Sequence, residues 1–165
     1  GKIFDLDYPA GPVVDRLAKD GNPDAFKFNK PKMEAYDYSF SGIKTSVLYF
    51  IQKEVRKNPD FIKDNLNDLC ASVQKSIIEI LMDKLEKAAK ELNINDIAIA
   101  GGVSANSGLR QYMEANREKL GWKIFIPKFE YTTDNAAMIA MVAKLKYERG
   151  EFTDIRTTAT AKYDL

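Results

Sequence analysis

The second half of this chain alternates strand and helix signals, and that alternation predicts an α/β protein. Two short apolar runs, Ile97-Ala98-Ile99-Ala100 and Ile124-Phe125-Ile126, are each closed by a chain breaker, Gly101-Gly102 and Pro127. Helical spacing of apolar residues flanks and separates them. The order strand, helix, strand, helix between residues 94 and 148 is a βαβ unit with one further helix.

Upstream of that unit the chain reads mostly helical. After Tyr8-Pro9-Ala10-Gly11-Pro12, an amphipathic stretch with Val13, Val14, Leu17 and Ala18 runs to Gly21, with proline at its start and glycine past its end. Two aromatic-rich runs, Ala25-Phe26-Lys27-Phe28 and Tyr36 to Phe40, have the composition of short strands that could pair. A helical stripe of Ile43, Val47, Leu48, Ile51 and Val55 follows and ends near Asn58-Pro59. A long helical region then puts Ile62, Leu66, Leu69, Val73, Ile77, Ile80, Leu81 and Leu85 on one face. The helix between the strands carries Leu109, Tyr112, Met113 and Leu120, and the last one starts near Thr133-Asp134. From Gly150 the tail is polar and without period. All 165 residues read as a single unit.

Composition narrows the function classes. The chain is 45% apolar and 30% charged, with a net charge of +1. That balance excludes a disordered acidic or basic chain and supplies no overall attraction for nucleic acid. One cysteine, Cys70, excludes an internal disulfide and suits a reducing compartment. No apolar run approaches the roughly 18 residues that span a bilayer, so a cytoplasmic protein without membrane contact is expected. There is no histidine, so Ser-His or Cys-His catalysis and His-containing metal sites cannot be complete within this chain. The chain opens at Gly1-Lys2 without a methionine and reads as a piece of something longer.

In a βαβ unit, ligands sit outside the carboxyl ends of the strands. The two strand-to-helix turns there are Gly101 to Ser107 and Pro127 to Asn135, expected side by side at about the 5 Å spacing of neighbouring strands. In the first, Ala100-Gly101-Gly102-Val103-Ser104-Ala105-Asn106, glycines allow close backbone approach, and the helix start offers N–H groups to phosphate or ribose. Asn106 carries both a donor and an acceptor, as reading an adenine edge requires. A tight turn with a Ser or Asn cap explains the same residues. In the second, Asp134 is either an ordinary N-cap or a carboxylate for a cation that bridges to phosphate. Gly11 and Asp15 are a third candidate: exposed backbone in a stiff turn, with an acidic group one helical turn on that could accept ribose hydroxyls. The bland alternative is a turn and a solvated helix. Ser39 to Thr45 could bind an anion or simply cap a helix with a serine. Cys70 and Trp122 read as packing, and Lys84 to Glu91 as a solvated face.

Four of these stretches, in order, resemble the TsaD (Gcp) family, once called O-sialoglycoprotein endopeptidase. They are Asp7 to Pro12, Ser39 to Thr45, Ala100 to Asn106 with Leu109-Arg110, and Thr133 to Ala140. The resemblance implies a two-lobed, actin-like ATPase fold of the sugar kinase, Hsp70 and actin type, with this chain as the C-terminal lobe and the N-terminal lobe absent. It implies transfer of threonylcarbamoyl from threonylcarbamoyl-adenylate to the exocyclic amine of the adenosine beside the anticodon in tRNA. The family's divalent metal, iron or zinc, would hold the donor's phosphate and threonyl carboxylate. By the resemblance, Asp134 matches the carboxylate metal ligand, while Gly11, Asp15 and Asn106 match nucleoside contacts. The family's two histidine ligands have no counterpart here, so the chain alone is expected to be inactive. Ala10 stands for a family glycine and Thr133 for a frequent cysteine. Accessory proteins of the TsaB and TsaE kind are the implied partners. The other readings are a non-catalytic nucleotide-binding or assembly paralogue, and the metallopeptidase of the older family label.

Overall fold

A computed structural model of the chain describes residues 1–31 and 33–160. Where the sequence reads as a single unit, these residues fall into two compact units, one spanning Gly1–Thr132 and a second beginning at Thr133.

The first unit holds helices α1 (Ala10–Ala18), α2 (Phe40–Val55), α3 (Phe61–Asp64), α4 (Leu66–Leu92) and α5 (Ser107–Leu120), with strands β1 (Asp96–Ala98) and β2 (Lys123–Phe125). The strands form a parallel pair in the register Asp96 to Lys123, Ile97 to Ile124 and Ala98 to Phe125. The βαβ unit read from the sequence is therefore present, and the fold is α/β with a small parallel sheet.

Helix α4 is the spine of this unit. Its apolar residues serve two separate cores, because a 27-residue helix with a wide apolar surface can be covered on two sides. On one side Leu69, Cys70 and Ile80 pack with Phe4, Phe28, Ile43, Val47 and Ile51. On the other, Ile78, Met82 and Ala89 pack with Ile97, Leu109, Met113 and Trp122. Cys70 is completely buried, and that burial pushes its thiol above the ordinary range, as suits a packing residue. Trp122 is likewise core.

Three expectations are corrected. The aromatic runs at 25–28 and 36–40 form no strands. Phe26 and Phe28 instead insert into an aromatic cluster with Phe50 and Phe61, at ring separations of 5.3 to 5.9 Å. A sheet ladder is unnecessary because hydroxyls take its place: the Phe26 N–H donates to Ser72 Oγ on α4 and the Asn29 N–H to Ser46 Oγ on α2. Second, Ser39 occupies the N-cap position of α2, yet its side chain makes no capping hydrogen bond. Third, the charged side of α4 is not simply solvated. Lys84 Nζ donates to the carbonyls of Met33 and Ala35, and Glu91 accepts from the Tyr36 hydroxyl at 2.7 Å. These contacts fasten the loop before α2 onto α4.

In the second unit, α6 (Ala136–Glu148) is capped by Asn135, whose Oδ1 accepts from the Met138 N–H at 3.2 Å. Among the described residues no helix is long and apolar enough to cross a membrane.

Two outcomes test this packing. A Cβ on Gly21 would collide with the backbone carbonyl of Asn67 at the start of α4, which cannot swing aside. Gly21→Ala should cost about 1–3 kcal/mol, read as a lowered denaturant midpoint. Tyr112 donates from α5 to Glu86 on α4 at 2.8 Å; burial, then this hydrogen bond, pushes its phenol from 10.0 up to about 12. The folded state thus holds this proton more tightly than the unfolded chain. Its contribution is intact below pH 10.0 and is lost as pH rises through about 12. Tyr112→Phe should remove the latest-titrating phenolate from an alkaline absorbance titration and flatten the stability loss in that window.

Candidate functional site

The turn after β1 is shaped by backbone constraints. Gly101 has φ +75°, a conformation that suits a residue without Cβ. A short 3-10 turn over Gly102–Ala105 follows, with Ser104 Oγ donating to the Gly101 carbonyl at 2.7 Å. Asn106 then starts α5 as its N-cap, Oδ1 accepting from the Leu109 N–H at 2.9 Å. Arg110 ties this turn to the one after β2: its Nε donates to the Ser104 carbonyl at 2.6 Å and its Nη2 to the Pro127 carbonyl at 2.8 Å. The two turns are thus held together, as adjacent parallel strands require.

Beside the turn lies a cavity of about 770 Å³, at the carboxyl end of β1 and between the two cores. Helix α1 supplies Gly11, Val14 and Asp15; α4 supplies Val73, Gln74, Ile77, Ile78 and Leu81; the turn supplies Gly102, Val103 and Asn106. The walls are apolar on the α4 side and polar where α1 meets the start of α5. The volume falls within the several-hundred Å³ range of small-molecule sites. Gly11 faces open space, since a Cβ built there meets nothing within 4 Å.

The polar corner has a definite wiring. Asp15 Oδ1 accepts three hydrogen bonds: from Asn106 Nδ2 at 3.0 Å, from the Ser107 N–H at 3.1 Å and from Ser107 Oγ at 2.9 Å. A carboxylate at a helix start is favoured by the exposed N–H groups and the helix dipole. Asp15 Oδ2 has no partner among the described residues. Asn106 Nδ2 makes a second hydrogen bond, to Gln74 Oε1 at 2.8 Å.

Three of the residues singled out in the sequence, Gly11, Asp15 and Asn106, therefore line one cavity, although more than ninety positions separate the first from the last. Their division of labour is not the one expected. Both amide hydrogens of Asn106 are engaged by Asp15 and Gln74, so it organises the corner instead of offering a free donor. The Ser107 and Leu109 N–H groups are also taken, by Asp15 and by Asn106. Gln74 was missed. The signal available was an uncharged amide among the apolar residues of α4, four positions from Cys70 and four from Ile78.

Asp134 belongs to the second unit and is exposed. The N-cap role falls to Asn135, so the Asp134 carboxylate is not the side chain that caps α6, and it makes no side-chain hydrogen bond among the described residues. No cluster of three or more His, Cys, Asp or Glu suited to a metal ion occurs among the described residues.

Comparison with known proteins sets these features in a family. The model of the tRNA N6-adenosine threonylcarbamoyltransferase family, TsaD, matches residues 1–141. A protein of Riemerella anatipestifer named tRNA N6-adenosine threonylcarbamoyltransferase is 74% identical over 165 residues, covering 100% of this chain and 48% of the relative. One of the same name from Christiangramia forsetii is 55% identical over 162 residues, covering 98% of this chain and 48% of its own length. A third, from Porphyromonas gingivalis, is 53% identical over 154 residues, covering 93% and 45%. The chain spans about half the length of the curated relatives it matches. On a match extending from the α1 turn through the start of α6, the chain belongs to the TsaD family.

Proposed function

We propose that this chain is the C-terminal part of an enzyme that transfers threonylcarbamoyl from threonylcarbamoyl-adenylate to the exocyclic amine of an adenosine in tRNA, and that the cavity holds the adenosine moiety of the donor. The observation that carries this reading is the Asp15 corner in the setting of a family so named. Three donors hold Oδ1 in place, while Oδ2 has no partner among the described residues and can accept ribose hydroxyls. The apolar residues of α4 suit a flat base, and Gly11 leaves room for the sugar. In the transfer the amine forms a C–N bond to the carbamoyl carbon, the acyl–phosphate bond breaks, and AMP and a proton leave. These residues bind and orient the leaving nucleotide, and holding the donor rigidly lowers the entropic part of the barrier.

In the same reading the chain forms the C-terminal lobe of an actin-like ATPase fold and acts in the cytoplasm with tRNA and with TsaB- and TsaE-like partners. A metal ion, iron or zinc, would supply charge stabilisation at the donor's phosphate and carboxylate. The described residues do not make up a complete site for it. Asp134 offers one oxygen ligand, uncommitted to capping, and the remaining ligands would come from outside this chain. Asn135 as N-cap removes the simplest structural role for Asp134, which supports its assignment as that ligand.

Both assignments are tested in the full-length protein. Asp15→Asn keeps an acceptor for Ser107 but loses the charge that faces the ribose. Loss of a charge-assisted hydrogen bond worth about 1.5–3 kcal/mol should weaken adenosine binding roughly tenfold to a hundredfold, read by calorimetry. Asp134→Asn should shift unfolding by less than about 0.5 kcal/mol, because the cap is elsewhere. Bound metal by elemental analysis and tRNA modification with the partners present should fall by orders of magnitude. Activity within a few-fold of wild type would remove Asp134 from the metal site.

A further inference from the structure

Helix α2 buries one side and leaves the other open. Its buried residues are Ile43, Val47 and Ile51. At about 100° per residue, Thr45, Tyr49, Gln52, Lys53 and Arg56 fall on the opposite side, and all five are exposed. Tyr49 is 66% exposed, with Lys53 four and Arg56 seven positions further along the same stripe. The stripe holds no carboxylate. Glu54, the one acid of α2, lies nearer the core side and is bound by Lys57 at 2.8 Å. Lys53 and Arg56 make no ion pair or side-chain hydrogen bond among the described residues. Other exposed helices behave differently: Lys75 meets Asp24 and Glu79, Lys87 meets Glu91, Arg117 meets Glu114, and Lys144 meets Glu148. A solvated face of this protein thus mixes and pairs its charges, and the outer face of α2 does not.

We propose that this face of α2 is a contact surface for the tRNA substrate, with Lys53 and Arg56 on backbone phosphates and Tyr49 against an unpaired base. The inference rests on the reading of the protein as a tRNA-modifying enzyme. Charge complementarity carries it. Two neighbouring cations without a protein counter-charge are matched by a polyanion, because each phosphate they neutralise releases condensed counterions. Arg56 adds the planar fork that suits phosphate oxygens. Tyr49 separates RNA from an acidic protein surface, since an exposed ring among cations is a stacking platform that accepts any base. Thr45 and Gln52 beside it bring uncharged groups for sugar hydroxyls and phosphate oxygens. The whole-chain charge of +1 attracts no nucleic acid by itself, so contact with RNA calls for a local stripe of this kind. None of the five residues lines the cavity, so RNA held here does not compete with a bound nucleotide.

The test uses the full-length protein with its partner proteins present and measures binding of unmodified tRNA as a function of salt. The variants are the pair Lys53→Gln/Arg56→Gln, Tyr49→Ala, Tyr49→Phe, and a control pair, Lys87→Gln/Lys90→Gln, that removes the same charge from α4. The α2 pair should weaken tRNA binding about tenfold and reduce the slope of log affinity against log salt by about 1.4–1.8, two phosphate contacts' worth. Tyr49→Ala should lose about tenfold with the slope unchanged, and Tyr49→Phe, which keeps the ring, should stay within about twofold of wild type. Adenosine binding and assembly with the partner proteins should be unaltered in all of them. A control pair as damaging as the α2 pair would mean that net charge alone is at work, and overturns the proposal. Loss of partner assembly in the α2 variants overturns it too, making the face a protein interface, and so does a parallel fall in adenosine binding. Wild-type tRNA affinity in both the α2 pair and Tyr49→Ala overturns the surface and leaves the enzymatic reading intact. A wild-type assembly that binds no tRNA overturns both.

Discussion

The architecture depends on α4 having two apolar sides. A helix that buried a single stripe would support one core, and the βαβ unit would have nothing to pack upon. Here Leu69, Cys70 and Ile80 anchor the α1–α2 side, while Ile78, Met82 and Ala89 anchor the sheet side. The cavity is a consequence of this division. It opens where the two cores diverge, along Val73, Ile77 and Leu81, and α1 and the Gly101 turn close its flanks.

Once α4 separates the cores, something polar has to reconnect α1 with α5, and the Asp15–Asn106–Gln74 group does so. It brings three helices to one point with every hydrogen bond directional. A half-buried network of this kind is costly if any member lacks a partner, so its members constrain one another. The Asn106 oxygen that caps α5 also fixes which way its own amide nitrogen, and with it the Gln74 oxygen, faces.

The site divides its chemistry by element. Helix α1 and its C-cap bring Asp15, Arg16 and Lys19, α4 the apolar wall and Gln74, and the turn after β1 the backbone space. Arg110 donates to carbonyls of both strand-to-helix turns and so ties the two loops together. Among the described residues no group of three or more His, Cys, Asp or Glu could hold a metal ion, while Arg16 and Lys19 line the cavity beside Asp15.

Much of this was legible in the sequence. The parallel strands followed from apolar runs too short for helices and closed by glycine or proline, and the helices from their apolar period. The absence of histidine already limited what this chain could catalyse by itself. Gly11, Asp15 and Asn106 could be singled out because turns at strand ends and helix starts carry local chemical signatures, and the structure brings the three to one cavity. The tertiary structure decided the rest. Phe26 and Phe28 have strand-like composition, yet Ser72 and Ser46 satisfy the backbone there, and those hydroxyls lie on helices far along the chain. Whether Asp134 or Asn135 caps α6 depended on which side chain reached the Met138 N–H, a matter of one residue that composition does not resolve. Gln74 looked like any polar residue on a long helix until Asn106 arrived beside it. Sequence period reports which face a residue occupies, but the partner on that face is set by contacts across dozens of positions, and a hydrogen bond's direction depends on the partner.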